Sequence, residues 1–276
     1  MEQNKMYTRI STLLIIIFLA ACSTPPVPPT NTQSTDTTQT TATVAAAEAT
    51  ATIEGSSPGA SGSLCTNLYY PVRQGATWTY KSTGGPAGEY SFTDTIASVR
   101  EDGFTLSTQI GDITRTQEWT CSAQGLAALQ LGGAPAAMLN SQNIQLNLDI
   151  SNATGVTFPV QINPGDQWQQ TMDVQGEVTM MNQEAQATGN AQMNFSAIGN
   201  ESVTVPAGTF DALKVAVNVT LKVNATYEGI TLPVSFSGDY TYWFAPNVGW
   251  VKASGTGNVL GSSFSDTTEL QSYSIP

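Results

Sequence analysis

The sequence predicts an all-β protein, a long antiparallel meander curled into a half-barrel, a barrel or a sandwich, and three stretches carry that prediction. From Leu213 to Tyr227 the odd positions are Leu, Val, Val, Val, Leu, Val, Ala and Tyr, while the even ones are Lys, Ala, Asn, Thr, Lys, Asn and Thr. Strict alternation is the period of a strand with one apolar and one wet face. The same pattern runs through Leu232, Val234, Phe236, Gly238, Tyr240, Tyr242 and Phe244, and through Ala185, Ala187, Gly189, Ala191, Met193, Phe195 and Ala197. Asn182-Gln183, Gly199-Asn200 and Glu228-Gly229 are the polar turn-formers expected to separate these runs. Short connections between long strands make antiparallel hairpins.

At roughly 3.3 Å per residue such strands are much longer than usual, so the sheet has to twist and curl. Its apolar face needs a cover, and amphipathic helical patterns are scarce. The only helix candidate is the Ala- and Leu-rich segment 126–139, interrupted by Gly132, Gly133 and Pro135. The sheet is therefore expected to close on itself or on a second sheet.

The N-terminus reads MEQNKMYTRISTLLIIIFLAAC, with Lys5 and Arg9 ahead of an uncharged apolar run from Leu13 to Ala21. A run that short has the layout of an export signal rather than a membrane span. Leu19-Ala20-Ala21-Cys22 resembles the lipobox of bacterial lipoproteins, which implies a signal peptide over 1–22, lipidation of Cys22 and a membrane anchor facing the periplasm or the cell exterior. Residues 23–63 are almost all Thr, Ser, Pro, Ala and Gly. That composition lacks the apolar surface to offset its ordering entropy and is expected to form a disordered stalk. The β domain then occupies 64–276.

With Cys22 assigned to lipid, Cys65 and Cys121 remain, an even pair suited to a disulfide in an oxidising compartment. The rival reading, two free thiols with one catalytic, lacks a base, because the chain has no His. A formal net charge of −12 repels nucleic acid. The absence of His also removes Ser-His-Asp, Cys-His and His-metal chemistry, and neither phosphate-binding glycine motifs nor a Gly-x-Ser-x-Gly elbow occurs. No cofactor or metal is expected.

Two segments echo each other. Tyr70-Pro71-Val72 precedes Gly75 and Trp78, and Phe158-Pro159-Val160 precedes Gly165 and Trp168; Trp119 stands before Gly125 as Trp243 stands before Gly249. An internal duplication, with halves 64–140 and 155–276, would produce this.

Carboxylates are the only remaining catalytic candidates. Asp94 shares strand parity with Tyr90, Phe92 and Ile96, so it is expected either as a buried acid with a raised pKa or as a hydrogen-bonded structural residue. Glu101-Asp102-Gly103 reads as a hairpin turn in which Gly supplies positive φ. VPAGTFDALKV at 205–215 reads as a register-setting turn into the long strand, with Phe210 plugging one end of the interior. Small inward residues with methionines nearby suggest room for an apolar guest. Ala187, Ala191, Met193, Val217 and Tyr240 are the candidate ligand-binding residues.

Tyr70-Pro71-Val72…Gly75…Trp78, Val203-Thr204-Val205-Pro206-Ala207-Gly208-Thr209-Phe210 and Tyr242-Trp243-Phe244-Ala245-Pro246…Val248-Gly249 resemble segments of uncharacterised bacterial exported β-sheet lipoproteins. The resemblance implies a curved antiparallel sheet loosely similar to lipoprotein-carrier half-barrels, and no catalytic residues. Two functions stay open: a non-enzymatic protein holding a lipid or other hydrophobic ligand, and a surface-displayed interaction or scaffold module binding protein or glycan.

Overall fold

A computed structural model describes residues 64–130, 144–180, 183–259 and 261–276. All of them fall within one compact unit, Ser56–Pro276. The signal peptide, Cys22 and the stalk predicted over 1–63 lie outside the described residues, as does 131–139 of the candidate helix.

Thirteen strands follow in chain order: β1 (Thr77–Gly84), β2 (Tyr90–Arg100), β3 (Gly103–Ile110), β4 (Ile113–Ser122), β5 (Gly125–Ala128), β6 (Ile144–Gly155), β7 (Phe158–Pro159), β8 (Gln167–Met180), β9 (Gln183–Val205), β10 (Gly208–Tyr227), β11 (Ile230–Ala245), β12 (Gly249–Val259) and β13 (Ser262–Ser274). They form one antiparallel sheet, curled into a half-barrel, in the order β6-β8-β9-β10-β11-β12-β13-β1-β2-β3-β4-β5-β7. The described start of the helix candidate is a strand, β5, whose Leu126 and Ala128 are buried.

Alternation decides the faces. Along β10, Leu213, Val215, Val217, Leu221, Val223 and Ala225 are buried, while Lys222, Asn224 and Thr226 are exposed. β9 is long because one expected interruption is absent, while Glu228-Gly229 does separate β10 from β11. Gly199-Asn200 is no turn: β9 continues through it, and a register shift opposite Lys214/Val215 leaves Ile198 unpaired and exposed. One extra residue in a ladder is a β-bulge, which bends the strand and lets the chain continue. The connection falls instead at Pro206-Ala207, where Val205 pairs with Gly208 at φ 139°. Phe210 is half-buried, packs against the interior cluster and has its ring 6.1 Å from that of Tyr273.

Gly103 does begin a hairpin strand after Glu101-Asp102, but it has no positive φ. A Cβ there would lie 2.3 Å from the Trp119 carbonyl oxygen, so close backbone approach, not turn geometry, excludes a side chain.

The two edge strands, β6 and β7, are consecutive in the chain, so residues 155–158 carry it from one edge of the sheet to the other. Side chains stitch the edges there. Thr157 Oγ1 accepts from the Ala128 amide at 3.0 Å and donates to Gln170 Oε1 at 2.7 Å, while Gln170 Nε2 donates to the Ala128 carbonyl at 3.1 Å. Gln170 is fully buried on β8, so its amide supplies what a neighbouring strand would otherwise give. The Cys65–Cys121 disulfide ties the segment before β1 to β4.

The echoed segments make the same turn. Gly75 N donates to Ile96 O and Ile96 N to Ala76 O; Gly165 N donates to Ala197 O and Ala197 N to Asp166 O. Both glycines have positive φ, 83° and 96°.

Candidate functional site

The interior has two apolar clusters of different character. The first lies around β1–β5 and β7 and is aromatic: Tyr70 stacks on Trp119 with ring centroids 5.1 Å apart, and Tyr80 stacks on Trp250 at 3.8 Å. The Trp78 indole donates to the Val248 carbonyl, and the Tyr80 hydroxyl to the Trp250 carbonyl. The second is built on the far halves of β8–β11 and is made largely of small side chains: Ala185, Ala187, Ala191, Val223, Ala225 and Val234.

Register turns the inner face into cross-strand rows. Trp168, Phe195, Val217 and Tyr240 form one row, Met172, Ala191, Leu221 and Phe236 another, and Gly176, Ala187 and Ala225 a third. The third row is flanked by Leu148 and Leu232, so the small side chains lie on the middle strands of the wall, β8–β10. All five candidate ligand-binding residues share this face. Val217 belongs to the aromatic cluster, Ala187, Ala191 and Tyr240 belong to the small-residue cluster, and Met193 packs against both.

Carboxylates interrupt the inner face at two places. Asp94, 8% exposed, accepts a 2.5 Å hydrogen bond from Thr108 Oγ1 beneath Tyr70 and Tyr80. Burial pushes its carboxyl up to about 6, against the lowering effect of that hydrogen bond. Asp266, also 8% exposed, is likewise pushed up to about 6 by burial. Burial raises the Tyr240 and Tyr242 hydroxyls well above their ordinary value, and the charge of Asp266 adds to it. Asp94 is therefore buried as its parity predicts, and Glu118 is tied to Arg100 at 2.7 Å on the outer face.

The outer face is a polar lattice. Lys214 bonds Glu201, which also accepts from the Trp243 indole, and Lys252 bonds Glu269 at 2.8 Å. A depression of about 410 Å3 is lined by Gln167, Asn194, Ser196, Asn218, Asp239 and Thr241, among others. Asn218 Nδ2 donates to Asp239 Oδ1 at 2.8 Å, and Asn194 Oδ1 accepts from both Gln169 and Gln192.

Residues 117–264, from within β4 to the start of β13, match the DUF3108-like family. The chain belongs to that family. No curated protein matches this DUF3108-like chain. Among solved structures it is similar to a candidate exported protein with a YmcC-like fold from Bacteroides fragilis, at 14% identity and TM-score 0.45, over 76% of this chain and 100% of that one. A candidate lipoprotein from Parabacteroides distasonis is similar at 16% identity and TM-score 0.42, over 76% and 99%. The hypothetical lipoprotein YmcC from Escherichia coli is similar at 10% identity and TM-score 0.33, over 73% and 85%. Likeness at this distance carries no argument about function.

Two groups of the DUF3108-like domain were not singled out from sequence. Gln170 sits at the seam, and its buried role depends on how two edges distant in sequence meet. Asp266 lies on β13, whose polar residues hide its alternation; sharing parity with Phe264 and Leu270 was the available signal.

Proposed function

We propose that this chain is a lipid-anchored extracytoplasmic protein, tethered through Cys22 to the cell membrane or outer membrane, that holds a lipid or other hydrophobic molecule without transforming it. The observation that carries this reading is the separate small-residue wall on β8–β11. Among the described residues that pack against it, all come from the same sheet. A wall of Ala and Val beside adaptable methionines suits an apolar guest of variable shape. Ala187, Ala191, Met193, Val217 and Tyr240 would contact it. The lipobox-like segment and the Cys65–Cys121 disulfide support an oxidising, extracytoplasmic setting.

Native mass spectrometry of the full chain purified from its host membrane, followed by organic extraction, tests the reading. A co-purifying apolar molecule in stoichiometric amount is expected; clean protein that takes up no fluorescent fatty acid or alcohol refutes it.

One observation favours a second reading, a module that binds glycan or protein through its outer face. The amide, hydroxyl and carboxylate groups around the 410 Å3 depression match the hydrogen bonding of a polyhydroxylated ligand. The matching turns at Gly75 and Gly165 further suggest that the two halves, 64–140 and 155–276, arose by duplication.

A further inference from the structure

Among the described residues, three buried oxygens facing the interior lack a well-formed hydrogen bond: Ser82 Oγ on β1, the Tyr90 hydroxyl on β2 and Asp266 Oδ1 on β13. Ser82 and Tyr90 lie close enough to interact with each other, which still leaves acceptor lone pairs on both. Buried polar groups in folded proteins are nearly always paired, so three such oxygens on adjacent strands call for an explanation. The ladder brings them together. Ser82 stands opposite Tyr90 on one side and Thr268 on the other, and Asp266 stands opposite Gly84 on β1 and Gly255 on β12. Opposed Cβ atoms lie about 4.5–5.5 Å apart and diagonal ones within about 8 Å, so the oxygens fall on one patch. Tyr240 and Tyr242 border it: the charge of Asp266 acts on both, and on Tyr90.

The patch lacks a cation. Lys81, Arg100, Lys214 and Lys252 are paired with Glu89, Glu118, Glu201 and Glu269. Among the described residues, Arg115 is the basic residue whose register puts it on the inner face, opposite Thr108, and it stands on β4, four strands from β13. Asp94, the other inner carboxylate, is already bonded to Thr108. At neutral pH Asp266 is mostly ionised, since burial lifts its carboxyl only to about 6.

We propose that Ser82, Tyr90 and Asp266 take the primary ammonium head of a single-chain aliphatic amine whose tail lies along the small-residue wall. The inference rests on the apolar-ligand reading above and adds the head group to it. A primary ammonium has three N–H donors for the acceptor lone pairs left on these three oxygens, and its charge complements Asp266. The flanking tyrosine rings add cation–π attraction. Carboxylate or phosphate heads are repelled by the same Asp266. Row geometry places the head at the border of the wall: Asp266, Gly255 and Tyr240 are successive members of the row that continues through Val217 and Phe195, and from that row the tail would extend toward the rows of Ala191 and Ala187. A depression of about 320 Å3 lined by Gly85, Val259, Phe264 and Ser265 lies at the chain neighbours of Gly84 and Asp266, and the head group would reach the patch from there.

The test measures octylamine, octanol and octanoate binding to the full chain in phosphatidylcholine nanodiscs by saturation-transfer NMR, for wild type, Asp266→Asn and Ser82→Ala. For each ligand, the signal from protein-free discs is subtracted to remove partition into lipid. Wild type is expected to bind octylamine about ten-fold or more tightly than octanol, with octanoate weakest. Asp266→Asn is expected to bring octylamine within about two-fold of octanol, and Ser82→Ala to weaken octylamine several-fold. Unchanged octanol affinity in both variants reports an intact fold. Equal affinity of wild type for octylamine and octanol, or an undiminished amine preference in Asp266→Asn, overturns the head-group assignment and leaves the apolar wall standing. If wild type takes up none of the three, both readings fall.

Discussion

Replacing Gln170 with Leu tests the seam that lets the sheet curl. The side chain is fully buried, donates to the Ala128 carbonyl at 3.1 Å and accepts from Thr157 Oγ1 at 2.7 Å. Leu has nearly the same volume, so little cavity is created and the loss is mainly in pairing. The Ala128 carbonyl and the Thr157 hydroxyl each lose a partner, at about 1–3 kcal/mol for a buried group left unsatisfied. Greater apolar burial of Leu returns about 1 kcal/mol. The net expectation is a loss of about 2–4 kcal/mol, read by urea unfolding followed through tryptophan emission. Thr157→Val should be strongly non-additive with it, with a coupling of about 1 kcal/mol or more, because both residues serve Ala128. A Gln170→Leu protein within about 0.5 kcal/mol of wild type would show that the seam contributes nothing and that the curl is held elsewhere.

Three further outcomes are expected. Replacing both Cys65 and Cys121 with Ala should lower stability by about 4 kcal/mol in urea unfolding, the chain-entropy value for a loop spanning a sequence separation of 56. Asp94 has a folded pKa of about 6, above its unfolded value, so between about pH 4 and pH 6 the folded state holds a proton that the unfolded state has released. Its unfavourable contribution is absent below that window and reaches about 3 kcal/mol above it; Asp94→Asn should remove that part of the pH dependence in unfolding curves at pH 4 and pH 7.5. Gly103→Ala puts a Cβ 2.3 Å from the Trp119 carbonyl oxygen and should lower the melting temperature clearly, even though Gly103 has no positive φ.

Much of the fold was legible because period-2 alternation is a local signal. Leu213–Tyr227 sorts its side chains by parity, and burial along β10 follows that sorting from Leu213 to Ala225, with Val219 half-buried and Tyr227 exposed at the strand end. The Asp94 parity with Phe92 and Ile96 worked for the same reason. Local rules failed where tertiary contact decides. Gly199-Asn200 looks like a turn, but pairing with β10 continues through a bulge, because burying Leu213 and Val215 on the same wall outweighs two turn-forming residues. Gly103 follows Asp102 as a type I′ turn would have it, yet its requirement comes from Trp119, on the next strand. Gln170 and Thr157 reach Ala128 only when the edges of the sheet converge, a condition no short window of sequence contains. The candidate ligand face was legible as a face, since Ala187, Ala191 and Met193 share parity. Its head-group end was not, because Ser82, Tyr90 and Asp266 come from three strands joined through the β13–β1 pairing of the chain's two ends.

The central claim is that the Ala-lined wall accepts an apolar molecule, and filling the wall tests it most directly. Uptake of the apolar fluorophore N-phenyl-1-naphthylamine by the full chain in nanodiscs would be compared between wild type and Ala191→Phe. Ala191 is buried beside Met172 and Leu221 and within the small-residue cluster, so a benzyl group there occupies the space a guest would use, at about 1–3 kcal/mol of overpacking. Saturable uptake by wild type, reduced about ten-fold or more in a folded Ala191→Phe protein, is the expected result. Equal saturable uptake by both proteins, or none by wild type, contradicts the account.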